Sequence, residues 1–462
     1  MASTKLLLGF AVALGCAACG VDSFSDTVPP PIILITLDTV RADSLGVYGA
    51  GEGATPALDE FSRGADRYET CISSAPWTMP THASLLTGLY PFEHGAHSFL
   101  PEEGAQVDNV FGLNDRFETL GEALASRGYR TGAMVANTGY LRPMLGLEQG
   151  FADWNCERTV AAGVNQRGLE WLDEDAGGVR PTFLFLNYMD AHRPYATGAR
   201  SDRPRKKLDQ LIDAVMVQGA QNPELAAEVR SLQQKAVTRL DAKLGELFAA
   251  LKERGLYDRS MIIVTADHGE AFGEHGVVEH SKDVYDELVR VPLLIKRPGQ
   301  TEGHVVSTRA SSVHVPGLIA QALAGTDAET MANVFPRLPN RATGVVLAEN
   351  YFSRNKDLRK FGERFRRRRY AYYEGDLKLI AGSDDSIELY DLKADPSETK
   401  NLAEASPKEA ARLLKLLQEK LKSSTAYEGP RQTIGEMTEE LQNEHRALGY
   451  GGDGDESDED GQ

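Results

Sequence analysis

The chain has 462 residues, of which 41% are hydrophobic and 26% are charged. This length and composition are ordinary for a globular protein and favour one large domain with a smaller one appended. The formal net charge of −18 indicates a soluble, acidic surface. It argues against nucleic acid as a partner, because polyanions are bound by clustered basic side chains.

The N-terminal residues are typical of an export signal. The apolar run Leu6–Leu14 is too short to span a bilayer comfortably, and small residues follow it. Small residues before Cys19, or less favourably before Cys16, are typical of a bacterial lipoprotein cleavage site, and an ordinary cleaved signal peptide is the alternative. We therefore predict a signal peptide over 1–19, a lipidated Cys19 and a tether over 20–31. The protein is then exported and held at the membrane of the periplasm or cell envelope by its lipid anchor.

Apolar runs of strand length alternate with helical patterns along residues 32–365. The predicted strands are Ile32–Asp38, Thr131–Ala136, Thr182–Tyr188, Met261–Ala266, Val291–Lys296 and Gly344–Ala348, and the predicted helices are Leu120–Arg127, Pro223–Arg254 and Pro316–Leu323. Such alternation predicts an α/β domain in which helices cover both faces of a mostly parallel sheet.

The pattern changes toward the C-terminus. Two short strands, Tyr370–Tyr373 and Leu377–Ala381, flank a turn signal, and Pro407–Lys422 has the apolar stripe of an amphipathic helix. We predict a small C-terminal α+β subdomain over 366–450. The acidic, glycine-rich residues 451–462 cannot bury apolar area, which predicts a disordered tail.

Acidic and histidine side chains lie at or just past the ends of the predicted strands. They are Asp38, Asp190, His192, Asp267 and His268. Ligands bind outside the carboxyl ends of parallel strands, and carboxylate oxygens with a histidine nitrogen suit a divalent cation. Each residue alone could be a strand-end acid or a loop histidine, but Asp38, Asp267 and His268 together predict a metal site.

The stretch Ala75–Pro91 predicts a loop that leads into a helix, which ends at Gly88. Thr78 lies among the last loop residues and Pro80 in the first helical turn. Thr78 could be a simple N-cap, because such caps are common and nucleophiles are rare. If Thr78 instead joins the metal site, its hydroxyl becomes more acidic and can act as a nucleophile.

Together, these stretches resemble the sulfatase branch of the alkaline phosphatase superfamily. The matching segments are Leu34–Gly49, Pro76–Gly95, Phe183–Tyr195, Val264–Gly276, Tyr285–Leu294 and Leu389–Leu402. The resemblance implies an α/β sandwich in which the nucleophile and the metal ligands share one cleft. It puts Asp38, Asp267 and His268 at metal-ligand positions and Thr78 at the nucleophile position, with one divalent ion (Mn, Mg, Ca or Zn).

The nucleophile motif departs from the family pattern. Working sulfatases carry a cysteine or serine that is oxidised to formylglycine, within Cys-x-Pro-Ser-Arg. Here the corresponding residues are Thr78-Met79-Pro80-Thr81-His82. Threonine cannot yield the formylglycine aldehyde, and His82 replaces the arginine that stabilises the hydrated aldehyde.

The substrate-contacting positions also depart from the family. The family's sulfate-contacting Lys-x-His segment is replaced here by the neighbourhood of Asn137, and its later lysine falls on Ser281. His280 and Lys282 flank that serine. By position, we predict His82, Asn137 and Lys282 as substrate contacts.

Two explanations fit these departures. In the first, the protein uses an unmodified threonine, like the related nucleotide pyrophosphatases and the lipoteichoic acid and phosphoethanolamine transferases. It is then a metal-dependent hydrolase or transferase of a phosphodiester or phosphate-type ester, with phosphothreonine at Thr78 and proton transfer by His192 or His280. The alternative is a sulfuric ester hydrolase resembling arylsulfatases, or an inactive lipoprotein that binds anionic glycans. The predicted substrate is an anionic ester of a lipid headgroup, glycan or small molecule.

Overall fold

The computed structural model describes residues 29–98, 110–175, 177, 180–195, 203–324, 334–339, 341–353, 355–424 and 426–427. The predicted signal peptide with Cys16 and Cys19, most of the tether, and the acidic tail lie outside the described residues. The domain boundaries given above therefore remain predictions at both ends of the chain.

Seventeen strands are described. In chain order they are β1 (Ile32–Leu37), β2 (Asp66–Tyr68), β3 (Cys71–Ile72), β4 (Arg130–Val135), β5 (Asp153–Cys156), β6 (Thr182–Tyr188), β7 (Met261–Ala266), β8 (Ala271–Phe272), β9 (Val278–Glu279), β10 (Arg290–Val291), β11 (Leu293–Lys296), β12 (His304–Val306), β13 (Ala310–Ser311), β14 (Val346–Asn350), β15 (Arg369–Glu374), β16 (Leu377–Gly382) and β17 (Ile387–Asp391). Eight of them form the main sheet, in the order β12-β2-β11-β7-β1-β6-β4-β5.

The centre of the main sheet is parallel. Strand β1 lies between β6 and β7 and runs parallel to both, with Leu37 beside Tyr188 and Ala266. Strand β11 is antiparallel to β7. Every residue of β1 and β7 is buried. Because alternate side chains of a strand point to opposite faces, both faces of the sheet are covered, which confirms the predicted α/β sandwich.

The helices lie between these strands in the sequence. The α-helices are Pro56–Ser62, Thr78–Thr87, Pro91–His94, Leu120–Ser126, Ala161–Asp173, Arg203–Ile212, Pro223–Glu253, Asp286–Val289, Val315–Ala324, Asn355–Phe361 and Pro407–Ser423. The helix Pro223–Glu253 packs against Pro56–Ser62 and Ala161–Asp173, whereas Thr78–Thr87 packs against Leu120–Ser126 and Val315–Ala324.

The smaller sheet is antiparallel, in the order β14-β15-β16-β17. The predicted hairpin is formed by β15 and β16. The helix Pro407–Ser423 covers this sheet, with Leu413 and Leu417 packed against Leu379 and Leu389. The strand predicted at 344–348 is β14, and it pairs with β15 in this smaller sheet rather than in the main one.

Candidate active site

The predicted metal ligands meet at the carboxyl end of the main sheet. Since β1 and β7 are parallel neighbours in register, the residues that follow them, Asp38 and Asp267, lie side by side. Asp38, Asp267 and His268 are fully buried, and their ligand atoms lie within 4.8 Å of one another. Asp38 precedes the adjacent residues Asp267 and His268 by more than 200 positions in the sequence, yet the three residues form one cluster.

In each carboxylate of the cluster, only one of the two oxygens accepts hydrogen bonds from the described residues. Asp38 Oδ2 accepts a hydrogen bond from Asn137 Nδ2 at 2.9 Å. Asp267 Oδ1 accepts from the backbone N–H groups of His268 at 2.9 Å and Thr39 at 3.2 Å. The other oxygens, Asp38 Oδ1 and Asp267 Oδ2, are buried without a hydrogen-bond partner among the described residues. Burial raises the pKa of Asp38 and raises the pKa of Asp267 to about 7. Paired, unsatisfied carboxylate oxygens are costly unless a cation occupies the space between them.

The tautomer of His268 also suits a cation. Its Nδ1 lies 2.9 Å from the carbonyl oxygen of Gly269, and a carbonyl can only accept, so Nδ1 carries the proton. Burial lowers the pKa of His268, so the ring is neutral and Nε2 presents a lone pair. This Nε2 lies 3.4 Å from Asp267 Oδ2 and 3.9 Å from Asp38 Oδ1. The donor set therefore fits one divalent ion that accepts nitrogen as well as oxygen.

A close backbone approach explains why Gly269 follows His268. A Cβ atom at residue 269 would lie 2.1 Å from the carbonyl oxygen of Glu287. The Gly269 N–H donates to the Leu288 carbonyl at 2.8 Å. A side chain here would push the chain away from the helix Asp286–Val289 and move His268 with it.

Thr78 is the first residue of the helix Thr78–Thr87, whose N-cap is Trp77. The interpretation of Thr78 as an N-cap is therefore wrong. Pro80 is tolerated because the first helical N–H groups have no partner within the helix. Thr78 Oγ1 lies 3.5 Å from His268 Nε2 and 3.4 Å from Asn137 Nδ2. The Thr78 hydroxyl thus lies next to the cluster of predicted metal ligands.

A cleft lies beside Thr78. Its described lining is Trp77, Thr78, Ser98, Val110, Tyr140, His280, Ser281, Asn350, Phe352, Ser353 and Asp357. His280 thus shares the cleft with Thr78, and its ring centroid lies 4.5 Å from that of His268. This is the arrangement expected of a nucleophile beside a proton-transfer group.

The predicted catalytic histidines are neighbours. The ring centroids of His192 and His280 are 5.2 Å apart. His192 Nδ1 donates to the Arg193 carbonyl at 2.8 Å, and burial lowers the pKa of His192 to about 3. His280 Nδ1 lies 3.0 Å from Glu270 Oε1. The carboxyl group of Glu270 orients the imidazole through this contact, and burial raises the pKa of Glu270 well above its usual range.

The predicted substrate contacts His82, Asn137 and Lys282 are not among the described residues that line the cleft. His82 is 1% exposed, and its Nδ1 and Nε2 lie 2.9 Å from the Thr78 carbonyl and 3.1 Å from Thr36 Oγ1. Lys282 is also buried, with Nζ 3.2 Å from the His280 carbonyl and 3.4 Å from Glu279 Oε2. We therefore correct these two assignments, since both side chains are engaged inside the protein. Asn137, in contrast, contacts both Asp38 and Thr78.

Asp190 has a structural contact. Both of its carboxylate oxygens lie within hydrogen-bond distance of the backbone N–H of Ala161, at 2.9 and 3.2 Å. Ala161 begins the helix Ala161–Asp173, so the carboxylate satisfies a helix N-terminal N–H group.

Sequence reasoning missed Thr36, Asn187 and Glu270. Thr36 and Asn187 are register partners in β1 and β6, each one residue before its strand ends. Glu270 lies two residues after His268 and is fully buried. The signal that could have found the first two is a polar side chain inside an otherwise apolar strand, because a buried polar group needs a partner.

A second acid–histidine group joins the two sheets. Ligand atoms of His275, Glu287 and Glu398 also lie within 4.8 Å of one another. However, Glu398 Oε1 lies 2.7 Å from Lys378 Nζ, and its Oε2 accepts the Asp286 N–H at 2.6 Å. An ammonium group already holds this carboxylate, so we assign the group to packing between β16 and the main domain.

The sulfatase family model matches residues 30–326. The chain belongs to the sulfatase family. This membership confirms the resemblance inferred from the motifs and places the chain among the hydrolases of the sulfatase/alkaline phosphatase superfamily.

Similar proteins span most of the chain. The multifunctional alkaline phosphatase superfamily protein PehA of Trinickia caryophylli is 24% identical over 484 residues, which covers 80% of this chain and 91% of PehA. The solved structure of the 2-O GAG sulfatase BT1596 has a TM-score of 0.67 at 18% identity and covers 86% of this chain and 92% of its own. The phosphonate monoester hydrolase of Agrobacterium radiobacter has a TM-score of 0.61 at 19% identity, with 89% and 98% covered. These similar proteins are named for different ester chemistries on one fold, so the substrate class of this chain must be argued from the site.

Proposed function

We propose that this family member is a metal-dependent phosphoesterase that uses Thr78 as its nucleophile on a phosphodiester or a phosphate-type ester. The observation that carries the proposal is the position of Thr78 Oγ1, 3.5 Å from His268 Nε2 and on the wall of the cleft. A threonine hydroxyl at this point can attack phosphorus directly but cannot become an aldehyde.

Asp38, Asp267, His268 and Thr78 are the residues that would hold the ion. When bound, one divalent cation would lower the pKa of the Thr78 hydroxyl and offset negative charge on the substrate. Asn137 Nδ2, 3.4 Å from Thr78 Oγ1, adds a donor that stabilises the deprotonated oxygen.

The proposed chemistry has two balanced steps. Thr78 Oγ1, after losing its proton to solvent, forms a bond to phosphorus while the bond to the leaving-group oxygen breaks in line. His280, which shares the cleft with Thr78, gives that oxygen a proton. His192 is kept neutral by a pKa that burial lowers to about 3, so its role is to contact His280. In the second step the oxygen of a water molecule forms a bond to phosphorus while the Thr78 Oγ1–phosphorus bond breaks, and the proton of that water returns to His280. Thr78 Oγ1 takes a proton back from solvent, and the phosphorylated product leaves.

The charge of the cleft favours a singly charged ester. Among the described residues that line it, none is Lys or Arg, and Lys282 is turned toward Glu279. A phosphodiester carries one negative charge and needs less neutralisation than a phosphomonoester or a multiply sulfated glycan. Sulfuric ester hydrolysis is the second candidate. A sulfate monoester also carries one negative charge, so it is the unmodified threonine at residue 78, and not the charge of the cleft, that favours the phosphodiester over it.

A substrate panel tests the proposal. We expect an aryl phosphodiester to be hydrolysed faster than the matching phosphomonoester, phosphonate monoester or aryl sulfate, measured with and without Mn²⁺, Mg²⁺, Ca²⁺ and Zn²⁺. Activity should depend on one of these ions. A preference for the aryl sulfate would reject the proposal in favour of the second candidate.

We also propose that the protein is exported and anchored by a lipid on Cys19, on the strength of the leader motif. Within the described residues, no helix combines the length and apolar character needed to cross a bilayer. In a bacterial host, radiolabelled palmitate is expected to be incorporated into the wild type and Cys16→Ser but not into Cys19→Ser. Labelling of Cys19→Ser would place the anchor elsewhere.

A further inference from the structure

A closed ring of buried hydrogen bonds lies beneath Thr78. We propose that Thr36, His82 and Asn187 are positioning residues that, through Asn137, fix the side chain and the backbone of Thr78 at the same time. The kinetic part of this inference rests on the proposed function, whereas its hydrogen-bond directions do not.

The ring begins at the backbone of Thr78. His82 Nδ1 lies 2.9 Å from the Thr78 carbonyl oxygen, which can only accept, so Nδ1 carries a proton. Thr36 Oγ1 accepts a hydrogen bond from Asn187 Nδ2 at 3.2 Å, so its own proton is available for His82 Nε2, which acts as the acceptor. Thr36 Oγ1, 3.1 Å away, donates its only proton to it.

The next link is Asn187. Having donated to His82, Thr36 Oγ1 accepts from Asn187 Nδ2 at 3.2 Å. Asn187 Oδ1 in turn accepts the backbone N–H of Asn137 at 3.1 Å. Since a backbone N–H can only donate, the two ends of the Asn187 amide cannot be exchanged without losing both bonds.

The last link returns to Thr78. Asn137 Oδ1 accepts the backbone N–H groups of Gly139 at 3.1 Å and Tyr140 at 3.0 Å. Its Nδ2 must therefore face Asp38 Oδ2, 2.9 Å away, and Thr78 Oγ1, 3.4 Å away. Thr78 Oγ1 consequently faces a hydrogen-bond donor, Asn137 Nδ2, which stabilises the oxygen when it is deprotonated.

Burial makes the ring rigid. Thr36, Thr78, Asn137 and Asn187 are 0% exposed and His82 is 1% exposed. They come from β1, the helix Thr78–Thr87, the loop after β4, and β6. Water cannot replace a lost partner easily here, so removing one member leaves unsatisfied groups and frees the others to turn.

The test combines one substitution with a matched control. Thr36→Val keeps the shape of residue 36 and removes its hydroxyl. Thr265→Val is the control, because Thr265 is the register partner of Thr36 in β7, is buried, and bonds the Pro292 carbonyl at 2.8 Å outside the ring. Thr36→Ser restores the hydroxyl.

We expect Thr36→Val to lower kcat for the aryl phosphodiester by about 10²-fold, the loss that follows a misplacement of about 1 Å. KM and the bound metal should stay near their wild-type values, Thr36→Ser should recover most of kcat, and Thr265→Val should lose at most about threefold. A loss in Thr36→Val no larger than in Thr265→Val would overturn the positioning role.

A spectroscopic measurement tests the hydrogen-bond directions of the ring and does not depend on enzymatic activity. In ¹⁵N-histidine-labelled wild type, with the His82 signals assigned from His82→Gln, we expect the neutral ring protonated at Nδ1. A neutral imidazole protonated at Nε2 instead would overturn the proposed ring of hydrogen bonds. If Thr78→Ala retained full activity, the proposed function would fail while this measurement still tested the hydrogen-bond directions.

Discussion

Replacing Thr78 by alanine is expected to lower turnover of an aryl phosphodiester by about 10⁴-fold or more, the order seen when a nucleophile is removed. Alanine removes the oxygen that lies 3.5 Å from His268 Nε2 and that would both attack phosphorus and bind the ion. The fold should persist, because the Thr78 side chain does not cap its helix. Steady-state kinetics and a thermal melt measure both effects.

Two further variants serve as controls for the loss of turnover in Thr78→Ala. Thr78→Ser keeps a hydroxyl at this position, a primary one in place of the secondary hydroxyl of threonine, and should retain part of the activity. Thr87→Ala removes a buried hydroxyl at the far end of the same helix, where Oγ1 donates to the Ala83 carbonyl at 2.7 Å, and should leave kcat nearly unchanged. Mass spectrometry of acid-quenched wild-type enzyme should find the phosphoryl group on residue 78. Full turnover by Thr78→Ala would remove Thr78 from the chemistry.

Asp267→Asn is expected to abolish metal-dependent activity and, at the same time, to raise the melting temperature of the metal-free protein at pH 8. Asp267 Oδ2 is buried without a partner among the described residues, so its charge costs free energy when no cation is present. Elemental analysis should find one ion per wild-type chain and none in the variant. None in the wild type, or a stoichiometric pair, would contradict the single-ion site.

The pH dependence of this stabilisation has a defined sign. Burial raises the pKa of Asp267 from 3.8 to about 7, so the folded, metal-free protein binds a proton that the unfolded chain releases at a lower pH. The stability contributed by the protonated group is present below about pH 4 and is lost as the pH rises through about 7. Asp267→Asn should therefore raise the melting temperature more at pH 8 than at pH 5.

Asp241→Asn is the matched control for the carboxylate. Asp241 is also buried, but its two oxygens accept the N–H groups of Leu58 at 2.8 Å and Ala57 at 2.9 Å. An amide has only one oxygen to accept with, so this variant should melt at a lower temperature while keeping its metal and activity. Equal stabilisation in both variants would show that the partnerless oxygen of Asp267 is not the cause.

The comparison of Asp267 with His82 shows where reasoning from the sequence succeeds and where it fails. Asp38 and Asp267 directly follow continuous apolar runs, and parallel in-register strands bring such residues to one edge of a sheet. The same reasoning misplaced His82 and Lys282 by assigning them to the cleft. A spacing within a motif does not say which side of a helix or loop faces the substrate.

The sequence by itself determined the α/β class, the strands β1, β6 and β7, the family, and the cluster of Asp38, Asp267 and His268. These follow from local apolar patterns and from polar residues at strand ends, which adjacent strands carry to a common place. Only the tertiary structure decided that Thr78 begins its helix, that the amide of Asn137 faces Thr78 Oγ1, and that His82 lies behind the nucleophile. The physical reason is that the orientation of a buried polar side chain is set by the donors and acceptors that other segments place around it, and those segments lie far away in the chain.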